Sequence, residues 1–350
     1  MQKINLALLL VQMMFPIGLF AAEESLDLQK EAEPTPPPSH STAHGGSSLK
    51  LMGRIDLTNE ITAYESPKSI ENDKLKSYHF LVFLKAQPSP KVSFMGEIVR
   101  QSFYEATYAM TDQYRFHFGK IVVPFGDTRR FHHFYGGIQG YGAQGVMFPN
   151  VWAENGLNFE SRFEAVDLEF YVTSGITSTA ENIDPDFRVD STDKRQAAGL
   201  RATTDSLLSN WTFIGSVYYD EWWPSHPLYL LGLDAVAGYK FLPGNFLGGI
   251  RLSMGRAQAE VKKGTLGDYQ KAGDYIELAT NHIQPGEFRI RYGTYIDNSK
   301  NKTVNDVHNI NAGYSFPIDV LRLLTEYQWN YEAVDEVQND VFRMMLSLDF

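Results

Sequence analysis

The chain has 350 residues, 43% of them apolar and 13% aromatic, with 28 glycines, no cysteine and a formal net charge of −11. The acidic balance argues against a nucleic-acid partner, and the lack of cysteine excludes both a disulfide framework and a lipid-attachment thiol. After residue 22 no apolar run approaches the roughly 20 residues that a membrane helix needs, so any membrane-spanning form must be built from strands.

Lys3 precedes a mostly apolar run from Leu6 to Phe20, broken by Pro16, and the small residues Ala21 and Ala22 follow. This order predicts a secretory signal over residues 1–22. Residues 23–47 are Glu-rich, then Pro-rich (Pro34, Pro36, Pro37, Pro38), then Ser, His and Gly. Few of these side chains could be buried, which predicts an extended periplasmic tether ahead of a folded unit spanning 48–350.

From Ser48 onward, segments of about ten residues alternate apolar and polar side chains, the period of a strand with two unlike faces. The pattern predicts strands near 48–58, 75–86, 91–100, 102–110, 114–122, 155–162, 165–174, 196–204, 210–220, 229–240, 245–255, 273–281, 286–297, 307–316, 320–331 and 341–350. The count is sixteen if the chain divides at 100–102, and odd if it does not. Connections alternate in length. Short turns fall at 87–90, 111–113, 163–164, 205–209, 242–244, 282–285 and 317–319, and longer links at 59–74, 123–154, 175–195, 221–228, 256–272, 298–306 and 332–340. An outer-membrane barrel has this asymmetry, with short periplasmic turns and long external loops.

The faces agree. Val166, Leu168, Phe170 and Val172 alternate with Asp167, Glu169, Tyr171 and Thr173, and Phe288, Ile290 and Tyr292 alternate with Glu287, Arg289 and Arg291. A sixteen-strand barrel is too wide for wall side chains to fill, so its apolar face must meet lipid and its charged face water. Trp211, Tyr219, Trp222, Tyr239, Tyr327 and Trp329 near strand ends suit the aromatic girdles of such a barrel. Trp222 and Trp223 could instead stack on sugars in a pore.

Within the fifth strand and its exit, YRFHFGKIVVPFGD at 114–127 resembles the phosphate-selective porin O and P family, whose members carry a similar Gly-Lys/Gln-Phe-x-x-Pro-Phe-Gly signature. The matching residues are Gly119, Lys120, Pro124, Phe125 and Gly126, with Ile121 where that family usually has Phe. The resemblance covers about 40 residues. It implies an all-β, transmembrane antiparallel barrel of outer-membrane porin type, a homotrimer in outer-membrane lipid, and passage of small hydrophilic solutes or anions. It also implies that the link at 123–154 folds into the lumen; the competing reading is an external loop.

That link carries Arg129, Arg130, His132 and His133 and six glycines. Arginine holds phosphate or carboxylate through paired hydrogen bonds and stays charged, so Arg129 and Arg130 are candidate anion contacts at a constriction, with His132 and His133 beside them. Adjacent histidines on an extended chain point apart, which disfavours a metal site, and no cofactor is expected. By the alternation, Lys50, Arg54, Arg115, Arg251, Arg289, Arg291, Arg322 and Arg343 face the pore, and Glu97, Glu105, Glu160, Asp167, Glu169 and Asp234 lie on intermediate strands. Opposed walls of this kind would set up a transverse field; simple solvation of a water-facing wall is the competing reading.

The last ten residues close the pattern. Phe342, Met344, Leu346, Leu348 and Phe350 share one face, with Arg343, Ser347 and Asp349 between them, and Val341 and Met345 are the apolar residues on the polar side. In a membrane barrel such a strand pairs with the first; in a soluble sandwich it would be a terminal strand. No G-x-S-x-G or H-E-x-x-H pattern is present, so an enzyme is not expected. A non-conducting structural or adhesive barrel, or a sugar-type channel, is the alternative to a general pore.

Overall fold

The computed structural model describes residues 48–62, 75–99, 103–127, 152–175, 196–205, 207–223, 226–240, 247–261, 269–283, 286–296, 307–332 and 340–350. Among these lie sixteen strands and no helix: β1 (Ser48–Thr62), β2 (Lys76–Ser89), β3 (Val92–Glu97), β4 (Tyr104–Ala109), β5 (Tyr114–Val122), β6 (Ala153–Arg162), β7 (Asp167–Thr173), β8 (Ala197–Thr204), β9 (Trp211–Trp223), β10 (His226–Lys240), β11 (Leu247–Val261), β12 (Tyr269–Ile283), β13 (Glu287–Ile296), β14 (Val307–Ile318), β15 (Leu321–Glu332) and β16 (Val341–Asp349). Each pairs antiparallel with its neighbours in sequence, and β1 pairs with β16, which closes the barrel. β3 ends at Glu97 and β4 begins at Tyr104, so the division near 100–102 stands and the count is even.

The closing seam runs in register from Thr62 opposite Val341 to Arg54 opposite Asp349. One step further, Gly53 N–H donates to the Phe350 carbonyl at 2.8 Å and Phe350 N–H donates to the Gly53 carbonyl at 3.0 Å. The Phe350 ring lies across Gly53, where a Cβ would overlap it. A glycine covered by a cross-strand aromatic ring is a recognised way to pin register.

Phe342, Met344 and Leu346 stand exposed on the outer wall, while Val341, Met345 and Ser347 are buried on the inner one. The same division holds on β7, where Phe170 is outside and Glu169 inside, and on β13, where Phe288, Ile290 and Tyr292 are outside. A closed sheet with its large apolar side chains outward and carboxylates inward suits lipid, where a closed ladder leaves no backbone group unpaired. Outward aromatic residues cluster near strand ends: Trp211 stacks on Phe213 with centroids 6.0 Å apart, Tyr219 meets Tyr229 at 5.3 Å, and Tyr327 meets Trp329 at 4.4 Å.

Among the described residues, the turns that join β2 to β3, β4 to β5, β6 to β7 and β14 to β15 lie at the end of the barrel where Ser48 and Phe350 stand. Two short turns place a non-glycine residue in the left-handed region, Asn210 (φ 66°) and Asp319 (φ 56°), residue types whose short polar side chains tolerate it. Two links differ from expectation: in 256–272, β11 runs on to Val261 and β12 already starts at Tyr269, and 221–228 is the second. Residues 221–228 are mostly strand, because β9 runs to Trp223 and β10 starts at His226, with Glu221 opposite Pro227. Trp222 and Trp223 are strand-favouring types, and here they extend the hairpin where the alternation alone suggests a loop.

Deleting Phe350 removes both terminal hydrogen bonds and the ring over Gly53. The folded, heat-modifiable band on semi-native gels is expected to fall at least severalfold, and Gly53→Val is expected to do the same; a band at wild-type level in both variants would show that this seam does not depend on the terminal residue.

Candidate functional site

The site grows from β5. Its inward positions, by alternation, are Arg115, His117, Gly119 and Ile121, whereas Phe116, Phe118 and Lys120 share the outer face. Lys120 of the signature therefore stands on the outer side of the wall. Gly119 has φ 125°, and a Cβ there would overlap the Tyr104 carbonyl oxygen on β4. Only glycine allows that approach.

Beyond Val122 the ladder stops. Val123 N–H still donates to the Trp152 carbonyl at 2.8 Å, but Pro124 has no N–H to continue it. Phe125 then turns inside and is fully buried, tilted against Trp152 with centroids 5.9 Å apart. Trp152 meets Tyr218 edge-on at 4.8 Å, and Tyr218 stacks on Tyr171 at 6.4 Å. The Phe125 ring lies against Gly232 of β10, where a Cβ would come within 3.1 Å of its tip.

Three wall side chains hold the backbone that follows. Gly126 N–H donates to Ser216 Oγ of β9 at 2.8 Å, Arg201 Nε of β8 donates to the Gly126 carbonyl at 3.1 Å, and Asp127 N–H donates to Asp234 Oδ2 of β10 at 3.1 Å. Asp234 Oδ1 in turn accepts from Tyr275 of β12 at 3.1 Å, and the Arg291 guanidinium lies 4.5 Å over the Tyr275 ring. Gly126 takes φ 63° and faces the Asp234 carboxylate, so a side chain there would meet both strain and crowding. In the left-handed region a non-glycine residue costs about 1–2 kcal/mol. A segment that leaves the wall at β5 and is held at β8, β9 and β10 lies inside the barrel.

The inner wall near this segment departs from a purely polar lining. Ile121, Tyr171, Tyr218, Leu228, Leu230 and Ala259 occupy inward positions, are fully buried, and form one apolar cluster with Val123, Phe125 and Trp152. The expectation of a charged, water-lining face fails for these positions. The reason is local: here the inner wall faces the protein's own chain, and that contact buries apolar surface at roughly 25 cal/mol per Å².

Elsewhere the inner wall is charged, and most of its described arginines are paired with carboxylates. Arg251 donates to Glu277 at 2.9 Å; Arg291 and Arg289 approach the same carboxylate at 3.4 and 3.9 Å, and Arg289 also reaches Glu287 at 3.1 Å. Arg343 pairs with Glu326 at 3.4 Å and with the Gln328 side-chain oxygen. Arg54 grips Asp349 through two bonds of 2.6 and 3.0 Å. On the other side, Glu160 receives Arg162 at 2.5 Å and His117 Nε2 at 3.1 Å, with Arg115 at 4.0 Å, while His117 Nδ1 meets Glu105 at 2.8 Å. Arg201 joins Glu169 at 2.7 Å, and Asn158 donates to the other oxygen of Glu169 at 3.0 Å.

The predicted basic positions thus lie on inward alternation, mostly against carboxylates. Lys50 is exposed and directly opposite Lys85 across β1 and β2, and Arg322 is half-buried at the start of β15. Arg129, Arg130, His132 and His133, with glycines 136–145, lie outside the described residues. Sequence reading missed Arg201 and Ser216 as holders of the inward segment, Tyr275 as the donor that braces Asp234, and Glu277 and Glu326 as partners of the arginines. Register would have found Glu277, which is the direct cross-strand partner of Arg291; nothing local marks Ser216.

Ser216→Ala with Asp234→Ala removes both acceptors from the inward backbone. In a Val123→Cys background, where the wild-type side chain is fully buried, a water-soluble maleimide is expected to label the folded barrel at least several times faster after that double substitution. An unchanged rate would mean that apolar contacts alone hold the segment.

No protein-family model matches the chain, and no curated protein matches it. Solved structures do. An anion-selective porin from Comamonas acidovorans aligns with a TM-score of 0.60 at 14% identity, over 87% of this chain and 100% of that one. The outer-membrane channel DcaP of Acinetobacter baumannii aligns with a TM-score of 0.58 at 10% identity, over 89% and 99%. OmpT of Vibrio cholerae, an outer-membrane protein described in a trimer form, aligns with a TM-score of 0.58 at 9% identity, over 87% and 100%. At such identities the likeness concerns architecture, and in architecture this chain is a sixteen-stranded barrel of the outer-membrane porin type.

Proposed function

We propose that this chain is a passive diffusion channel of the outer membrane for small hydrophilic solutes and ions, and that the chain entering the lumen after β5 sets its aperture. The observation that carries this reading is the hold on Gly126 and Asp127 by Ser216, Arg201 and Asp234. A link that starts on the far inner wall narrows the passage. Residues 1–22 serve as the export signal and 23–47 as a periplasmic tether, and the working form is a homotrimer.

Selectivity is weak and favours anions. Arg54, Arg251, Arg289, Arg291 and Arg343 lie beside carboxylates, so the wall contributes little net field. Arg129 and Arg130, two and three residues beyond Asp127, would lie within about one Debye length, roughly 8 Å, of a passing ion. The resemblance of 114–127 to phosphate-selective porins favours the same sign, as does likeness to a porin described as anion-selective.

Single-channel recording in planar bilayers tests both parts. Shortening the link between Arg130 and Gly145 is expected to raise conductance, and Arg129→Glu with Arg130→Glu is expected to move the reversal potential under a salt gradient toward cations. A wild-type barrel that inserts without conducting would point to a structural or adhesive role instead, and identical reversal potentials would remove the two arginines from the constriction.

A further inference from the structure

The apolar outer band stops short on β11, at a place that solute passage does not use: beyond Met254 its outward positions are Arg256, Gln258 and Glu260. On β10 the outward positions from Tyr229 to Tyr239 are otherwise Leu231, Leu233, Ala235 and Ala237. At about 3.3 Å per residue and a tilt near 40°, that run covers roughly 25 Å of height, the full apolar band of such a barrel. Directly across from Leu233, which is 70% exposed, stands Arg256 of β11. Its cross-strand partner on β12 is Asp274, and the row continues through Thr294 on β13 to His308 on β14. The uninterrupted apolar run on β11, Ile250 to Met254, covers only about 10 Å by the same estimate.

Arg256 and Asp274 form a loose ion pair at 3.4 Å with side chains 55% and 39% exposed. Thr294 adds a hydrogen bond to Asp274 at 3.4 Å. Such a pair set one step inside the apolar band is poorly solvated by lipid tails, and its remaining hydrogen-bonding capacity points outward. Arg256 and Asp274 are direct cross-strand partners, and at that tilt they differ by only about 3 Å in height. A second copy related by a two-fold axis along the membrane normal reverses left and right, so Arg256 of one chain comes opposite Asp274 of the other. The patch is complementary to itself, as a two-fold contact requires.

We propose that the outer face of β11–β13 around Arg256 and Asp274 is a lateral docking surface for a second copy of this chain. The proposal rests on the membrane-barrel reading above, and as a two-fold contact it is separate from any threefold assembly. In a chain without cysteine, single cysteines report it. Gln258→Cys, opposite Ala272 and just above the ion pair, is expected to form disulfide-linked pairs in native envelopes at least about tenfold faster than Phe170→Cys on the outer face of β7, since a standing contact replaces diffusion by a high local concentration. Adding Arg256→Asp is expected to abolish that advantage, and the charge swap Arg256→Asp with Asp274→Arg to restore it.

Equal rates at the two cysteine positions would overturn the proposal, because lipid or another protein would then cover the patch. A Gln258→Cys rate indifferent to Arg256→Asp would overturn it as well. Heat-modifiable mobility of each variant separates loss of contact from loss of the barrel, and should Arg256→Asp fail to fold, the comparison of the two cysteines in the otherwise unaltered chain still decides. A wild-type chain lacking heat-modifiable mobility altogether would instead remove the membrane-barrel reading, and the docking surface with it.

Discussion

Every backbone N–H and C=O of the wall must find its partner within the chain, because hydrocarbon offers none. This constraint accounts for the antiparallel order, the even strand number and the β1–β16 pairing at once. The Gly53 and Phe350 bonds are the lowest rung of the ladder between β16 and β1.

Within that wall, the inward segment solves a second version of the same problem. Pro124 gives up a donor, and Gly126 and Asp127 would lose theirs on leaving the sheet, yet Ser216 and Asp234 accept both bonds from across the lumen. Apolar packing of Phe125 and Trp152 against Tyr218 excludes water around these bonds, which strengthens them electrostatically. The hold therefore depends on two inner-wall zones of opposite character lying next to each other, one greasy and one charged.

The wall was legible in the sequence because a period of two is a strong local signal and turn chemistry repeats it. Leu168, Phe170 and Val172 against Glu169 and Tyr171 suffice to fix the faces of β7. The inner apolar cluster was not legible, since Leu228 and Leu230 read the same whether they face lipid or the chain's own return. Nor were the holders of the inward segment: Ser216 is one hydroxyl among many, and it acquires meaning only once β9 is known to lie across the lumen from Gly126. Charges could be placed on the inner face by alternation, but their pairing needed register, which a one-residue slip would reverse. Arg251, Arg289 and Arg291 read as a basic wall until Glu277 is placed among them.

The seam between Arg54 and Asp349 has a kinetic meaning. All other strand pairs join neighbours in sequence, so the links they close are far shorter than this one, whose two residues are 295 positions apart. Non-local pairing carries its entropic cost before any contact is made. The sheet can thus grow hairpin by hairpin, and a single late step turns it into a barrel. Until that step both edges remain open to strands of other chains, which makes the seam the point where assembly and aggregation compete.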